Sequence, residues 1–225
     1  MSTYTVDTRG RLERWAPLAG ILYVALAIVA ISFVLRGPDT SGSPQKLVEY
    51  FSHAGHRHNG VIGSLCFGAA IFFFLWFLAA LRTRLGRLDG DGVLGSVVLL
   101  GGGLYAALSS AAFLLWGATE QLKVDATHPV HPELLAFAGD VSWFLNSVGF
   151  IGAAALMIAA SIIALRAAIV PRWLGWLSAL AGIVVVVSFA AVPQILWGAW
   201  VLAVSVGLFR GERAAVPANV AAAAT

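Results

Sequence analysis

Five histidines are the residues of this sequence best suited to chemistry, and they fall in two groups: His53, His56 and His58, then His128 and His131. Spacings of three, two and three let imidazoles share one transition ion, and imidazole suits zinc, copper and nickel. Glu120, Asp125 and Glu133 lie close enough in sequence to complete such a shell with carboxylates. The expected chemistry is a zinc or copper site used for sensing or redox work. The same residues also read as solvated histidines at loop ends, with His53 and His56 well placed near a helix C-terminus. A third reading is a pH-sensing surface, since histidine changes charge near neutrality. No His-Glu-x-x-His motif is present to single out the metal reading.

A second group is weakly polar and lies within apolar runs: Tyr105, Ser109, Ser142 and Asn146, with Ser110 and Ser147 beside them. One reading is hydrogen bonding between packed helices, where each bond contributes about 0.6 kcal/mol on average. The other is a polar pocket that opens at one face and takes a small ligand. Gly101, Gly102 and Gly103, with Ala106 and Ser110, and Gly149 with Ala153, provide the small residues that let helix backbones approach. A triple glycine also suits an unwound stretch lining a binding site.

What is missing narrows the chemistry further. No Asp, Glu, Lys, Arg or His lies well inside any long apolar run, which removes proton relays, ion pathways and a retinal Schiff base. With no histidine there, a haem held between helices lacks its pair of axial ligands. Cys66 is the single cysteine, so neither an internal disulfide nor a thiolate cluster forms. No Gly-x-Ser-x-Gly elbow marks a hydrolase. The net charge of +3 comes from basic residues scattered singly, with no basic stripe for nucleic acid.

The elements that position these residues are long and apolar. Hydrophobic residues make up 60% of the chain and charged ones 11%, against about 25% charged in soluble domains. Lipid is the solvent that tolerates such a surface. A spanning helix takes about 20 apolar residues. Runs of that kind occupy about 15–35, 60–81, 93–116 and 141–165, and Pro193 and Gln194 divide the remaining block into 173–191 and 194–209. The expected fold is an all-α polytopic membrane bundle of six transmembrane helices in a single domain, residues 1–210. Residues 211–225 are expected to form a disordered tail. Two short helices, one after Ser43-Pro44 and one from Pro132, are expected to lie flat at the outer boundary. The first run is too long for a secretory signal and is expected to stay attached.

Orientation follows from the basic residues. With the N-terminus cytoplasmic, the inner segments hold Arg9, Arg11, Arg14, Arg82, Arg84, Arg87, Arg166, Arg172, Arg210 and Arg213, ten in all. The outer segments hold four: Arg36, Lys46, Arg57 and Lys123. Both termini are therefore expected inside a bacterial plasma membrane. Trp15, Trp173 and Trp176 fall at inner helix ends and Trp116 and Trp143 at outer ends, as an aromatic belt requires. Trp197 and Trp200 fall in the outer half of the last run.

Three stretches carry a family resemblance. They are Ala19-Gly20-Ile21-Leu22-Tyr23, then Leu75-Trp76-Phe77-Leu78 leading to Leu81-Arg82, and Pro171-Arg172-Trp173-Leu174-Gly175-Trp176-Leu177 after Leu165-Arg166. Together these resemble uncharacterised six-span integral membrane proteins common in actinobacteria, grouped as a domain of unknown function. The resemblance implies the six-span topology over residues 14–210 and implies no activity.

The functional expectation is a non-enzymatic membrane protein. Its partners are the lipid bilayer and either a lipid-like or small apolar ligand, reached from the outer side, or a membrane subunit. The zinc or copper site is the alternative, and a passive transporter for a neutral solute is a further one.

Overall fold

A computed structural model describes the backbone of residues 8–34, 36, 54–89, 92–122, 132–187 and 192–222. Six helices account for nearly all of them: α1 (Thr8–Val34), α2 (Ala54–Gly86), α3 (Val93–Leu122), α4 (Pro132–Arg166), α5 (Arg172–Val187) and α6 (Val192–Ala222). Within α2, α3 and α4, the stretches His58–Gly86, Val93–Ala118 and Ala136–Arg166 are long and apolar enough to cross a membrane. Leu18–Phe33, Arg172–Val186 and Pro193–Phe209 are shorter apolar helices. In a helix every interior backbone group bonds within its own segment, the condition that lipid imposes. The protein is thus an all-helical chain with the character of a membrane protein.

The helices form a closed ring in chain order, α1 to α6, with α6 returning to pack against α1. Neighbours run antiparallel, as the paired contacts show. Gly63 meets Phe33 while Gly20 meets Phe77; Gly117 meets Ser64 while Gly102 meets Leu78; Gly175 meets Leu165 while Gly182 meets Ile158. Tyr23 and Gly20 of α1 likewise face Trp197 and Ser205 of α6. One end of the ring therefore gathers the α2–α3 and α4–α5 connections.

Those two connections are built on local hydrogen bonds. Asp89 caps α3: its Oδ2 accepts the Gly95 N–H at 2.8 Å, and Gly92 turns the chain at φ +68°. α4 ends in a Schellman motif, in which the Ile169 N–H donates to the Ala164 carbonyl and the Ala168 N–H to the Leu165 carbonyl. Ala168 stands at the left-handed position, φ 51°, where a Cβ is disfavoured by about 1–2 kcal/mol. Ala168→Gly is expected to stabilise the protein by about 1 kcal/mol, less some unfolded-state entropy. A thermal unfolding midpoint in detergent reads this, and a lower midpoint would refute the cap assignment.

The structure revises several sequence expectations. Pro193 does separate two helices, and it enters α6 at the second residue, where a missing N–H costs no hydrogen bond. The segment from Pro132 is no separate surface helix, because α4 runs through it unbroken. The segment after Ser43 lies outside the described residues. α6 continues as helix to Ala222, across most of the stretch expected to be a disordered tail, in keeping with alanine's high helix propensity. The three glycines Gly101, Gly102 and Gly103 stay helical throughout, which excludes an unwound segment there.

Their packing is unequal. A methyl placed on Gly101 would lie 2.6 Å from the Gly152 carbonyl oxygen, and one on Gly152 would lie 2.5 Å from the Gly101 carbonyl oxygen. Here α3 and α4 touch backbone to backbone. Gly102 faces Leu78 and Leu156, whereas Gly103 has open space around it.

Candidate functional site

The centre of the ring is filled by aromatic side chains, one from each helix except α5. α1 contributes Tyr23, α2 Phe74, α3 Tyr105, α4 Phe150 and α6 Trp197, all nearly or fully buried. Their rings meet at centroid distances of 5.1 Å (Tyr23–Phe74), 5.4 Å (Phe74–Tyr105), 5.4 Å (Tyr105–Phe150) and 4.9 Å (Tyr105–Trp197). Tilted and edge-on arrangements of this kind suit the ring quadrupole. Above them Phe67 of α2 stacks on Phe113 of α3 at 3.7 Å.

Polar atoms within this core form two chains. In the first, the Trp197 Nε1–H donates to the Tyr23 hydroxyl at 2.7 Å, and the Tyr23 and Tyr105 hydroxyls bond to each other at 2.6 Å. In the second, the Trp200 Nε1–H donates to Ser178 Oγ at 2.6 Å. Ser178 and Ser161 bond at 2.7 Å, and Ser161 Oγ reaches the Met157 carbonyl at 2.7 Å. This second chain ties the otherwise peripheral α5 to α4 and α6. Trp197 and Trp200 stack on each other at 5.6 Å and 9°.

Ser109 lies one turn beyond Tyr105 on α3 and is fully buried. Its Oγ is the one buried side-chain oxygen without a hydrogen-bond partner among the described residues. Other buried serines, Ser142, Ser161 and Ser205, donate to the carbonyl four residues back; Ser109 does not. It faces the backbone of Gly149, where a methyl would approach to 3.1 Å.

A cleft of about 140 Å³ opens on the surface at the end of the ring opposite the Asp89 turn. Trp143, Phe144, Val148 and Ile151 of α4 form one wall, and Val185 and Val186 of α5 with Pro193 of α6 form the other. Ser147 and Gln194 are its polar groups, and Phe150 closes its floor. Phe150 thus both lines the cleft and packs against Tyr105, with ring centroids 5.4 Å apart.

Set against the sequence expectations, Tyr105 and Ser109 do come together at the centre. Ser142 is buried but bonds its own helix, at the Ala138 carbonyl. Asn146 is half-buried and does not line the cleft; Ser147, its neighbour, does. Of the histidines proposed as metal ligands, His53, His128 and His131 lie outside the described residues. His56 and His58 stand in the opening turns of α2, not at a helix C-terminus, and the His58 side chain is exposed. No group of three metal-ligating side chains occurs among the described residues.

The sequence expectations did not include Tyr23, Phe150, Ser161, Ser178 or Gln194 as site residues, and they gave Trp197, which is 2% exposed, a place in the outer half of the last run without an inward role. The signal available was a tyrosine hydroxyl in mid-run, which requires a partner wherever lipid surrounds it. Comparison of the chain with protein families, curated proteins and solved structures gives no match.

Proposed function

We propose that this protein spans a bacterial plasma membrane six times with both termini cytoplasmic. We further propose that it is a binding protein, not an enzyme, which holds a lipid-like or small apolar molecule in the cleft between α4, α5 and α6. The ten-to-four division of basic residues supports the orientation, which puts the cleft in the outer half. Exposed Leu65, Leu100, Trp176 and Ile195, each about 70% accessible on the outside of the ring, support lipid contact all round.

The observation that carries the reading is the cleft itself: a recess with largely apolar walls on a lipid-facing surface, with only Ser147 and Gln194 to orient a guest. Apolar lining with a few placed polar groups is the general form of a small-molecule site. The aromatic core favours binding over passage, because five interlocked rings occupy the axis that a solute would follow.

Mass spectrometry of protein purified in mild detergent tests this. The wild type is expected to carry about one lipid-like molecule per chain. Ile151→Trp, which fills the cleft from its half-exposed wall, is expected to lower retention about tenfold, equivalent to about 1.4 kcal/mol. Equal retention in the variant, or no stoichiometric guest in the wild type, would refute the proposal.

A further inference from the structure

Arginines stand on both sides of the α4–α5 connection. Arg166 is the last residue of α4 and Arg172 the first of α5, and both side chains are exposed. Leu165 packs against Gly175, so the two helix ends lie side by side. Asp89 is the one acidic side chain described at this end of the ring; it is buried, and its Oδ2 accepts the Gly95 N–H. Glu133 and Asp140 belong to the opening turns of α4, toward the other end. Among the described residues no carboxylate balances the two guanidinium groups.

Directly beyond those charges α5 turns an apolar stripe outward. Trp173, Trp176, Leu177, Leu180 and Val184 are all exposed and recur at the spacing of one helix face. The two tryptophans, 68% and 69% accessible, come first, and the aliphatic residues follow along the helix. From Arg172 to Trp176 the helix rises about 6 Å. Cation, indole and aliphatic surface thus succeed one another along α5 in the order in which a phospholipid presents phosphate, ester and acyl chain. Indole suits the middle position because its ring is apolar and its N–H donates to an ester carbonyl.

We propose that the α4–α5 corner binds one anionic phospholipid, with its phosphate on Arg166 and Arg172, its ester region beside Trp173 and Trp176, and an acyl chain along Leu177, Leu180 and Val184. This inference rests on the reading of the chain as membrane-spanning and is independent of what occupies the cleft. Guanidinium matches phosphate through paired, planar hydrogen bonds. A zwitterionic headgroup brings an ammonium of its own, which two neighbouring arginines repel, whereas a net negative headgroup brings none. The proposed orientation puts this end in the cytoplasmic leaflet, where basic residues near the surface attract anionic lipid.

The test uses the full-length protein in detergent and two probes with identical acyl chains, dioleoyl phosphatidylglycerol and dioleoyl phosphatidylcholine. Native mass spectrometry reads the bound lipid. The wild type is expected to prefer the anionic lipid by roughly 25-fold at low salt, about fivefold for each arginine. That preference should shrink as salt rises. Arg166→Gln and Arg172→Gln are each expected to lower it about fivefold. Arg82→Gln, at an exposed arginine on α2 across the ring from α5, should leave it unchanged. Replacing Trp173 and Trp176 together by alanine should weaken both lipids alike. Equal retention of the two lipids by the wild type overturns the site, as does an Arg82→Gln loss as large as those at Arg166 and Arg172. A protein that stays monodisperse without detergent instead overturns the membrane reading beneath it.

Discussion

Gly101→Ala and Gly152→Ala are expected to be among the most damaging single-methyl changes in this protein, each costing about 3 kcal/mol or more. At both positions the added carbon meets the opposing helix's carbonyl oxygen, at 2.6 Å and 2.5 Å, and also a backbone nitrogen at 3.0 Å. Backbone cannot rotate away as a side chain can, so α3 and α4 must separate. Overpacking ordinarily costs about 1–3 kcal/mol, and a displaced helix pair lies at the top of that range. Loss of close packing matters more here because lipid gives helices no hydrophobic reason to associate. Gly103→Ala is the control, since its methyl would enter open space. Thermal midpoints and the monodisperse fraction after heating separate the three variants. Should Gly101→Ala behave like Gly103→Ala, the backbone contact between α3 and α4 does not exist.

The second large effect is expected at Trp197. Trp197→Ala removes a ring that touches Phe74, Tyr105 and Trp200, together with the donor to Tyr23. Truncating a buried tryptophan costs about 3–5 kcal/mol in water-soluble cores. Part of that figure is transfer from water, which falls away in a bilayer, so about 3 kcal/mol is expected. Trp197→Phe keeps much of the ring and should lose about 1 kcal/mol, the share of the hydrogen bond. Trp176→Ala, at a residue 69% exposed on the lipid side, should leave stability unchanged. The same thermal assay compares all three. An equal loss at Trp176 and Trp197 would contradict the inward position of Trp197.

The contrast between those two tryptophans shows what hydropathy can and cannot convey. Leu18–Phe33, the break at Pro193 and the close-packing glycines were legible, because each depends on run length, on a missing N–H or on a missing Cβ. Which face of each helix turns inward was not legible. In water the buried stripe is apolar and the rest polar, so periodicity reveals it. In lipid both sides are apolar, and α2 reads Phe72-Phe73-Phe74 with Phe72 57% exposed and Phe74 wholly buried. The partnership of Tyr23 with Trp197 was hidden for a second reason, since it joins residues 174 positions apart. Tyr105 and Ser109 were found because a hydroxyl within an apolar run is informative by itself. The cleft was not, since most of its lining is indistinguishable in composition from any lipid-facing surface.

Closure of the ring by α6 against α1 has a consequence for how the chain is made. Synthesis proceeds from the N-terminus, so α1 emerges first and its partner on that side emerges last. Until α6 leaves the ribosome, the Tyr23 hydroxyl has no indole to receive a proton from, and the Phe74 ring is open along one edge. Assembly of the core therefore waits on the final segment. A nascent chain interrupted before α6 would hold five helices and an unfinished seam, available to chaperones, insertases or proteases that survey the bilayer.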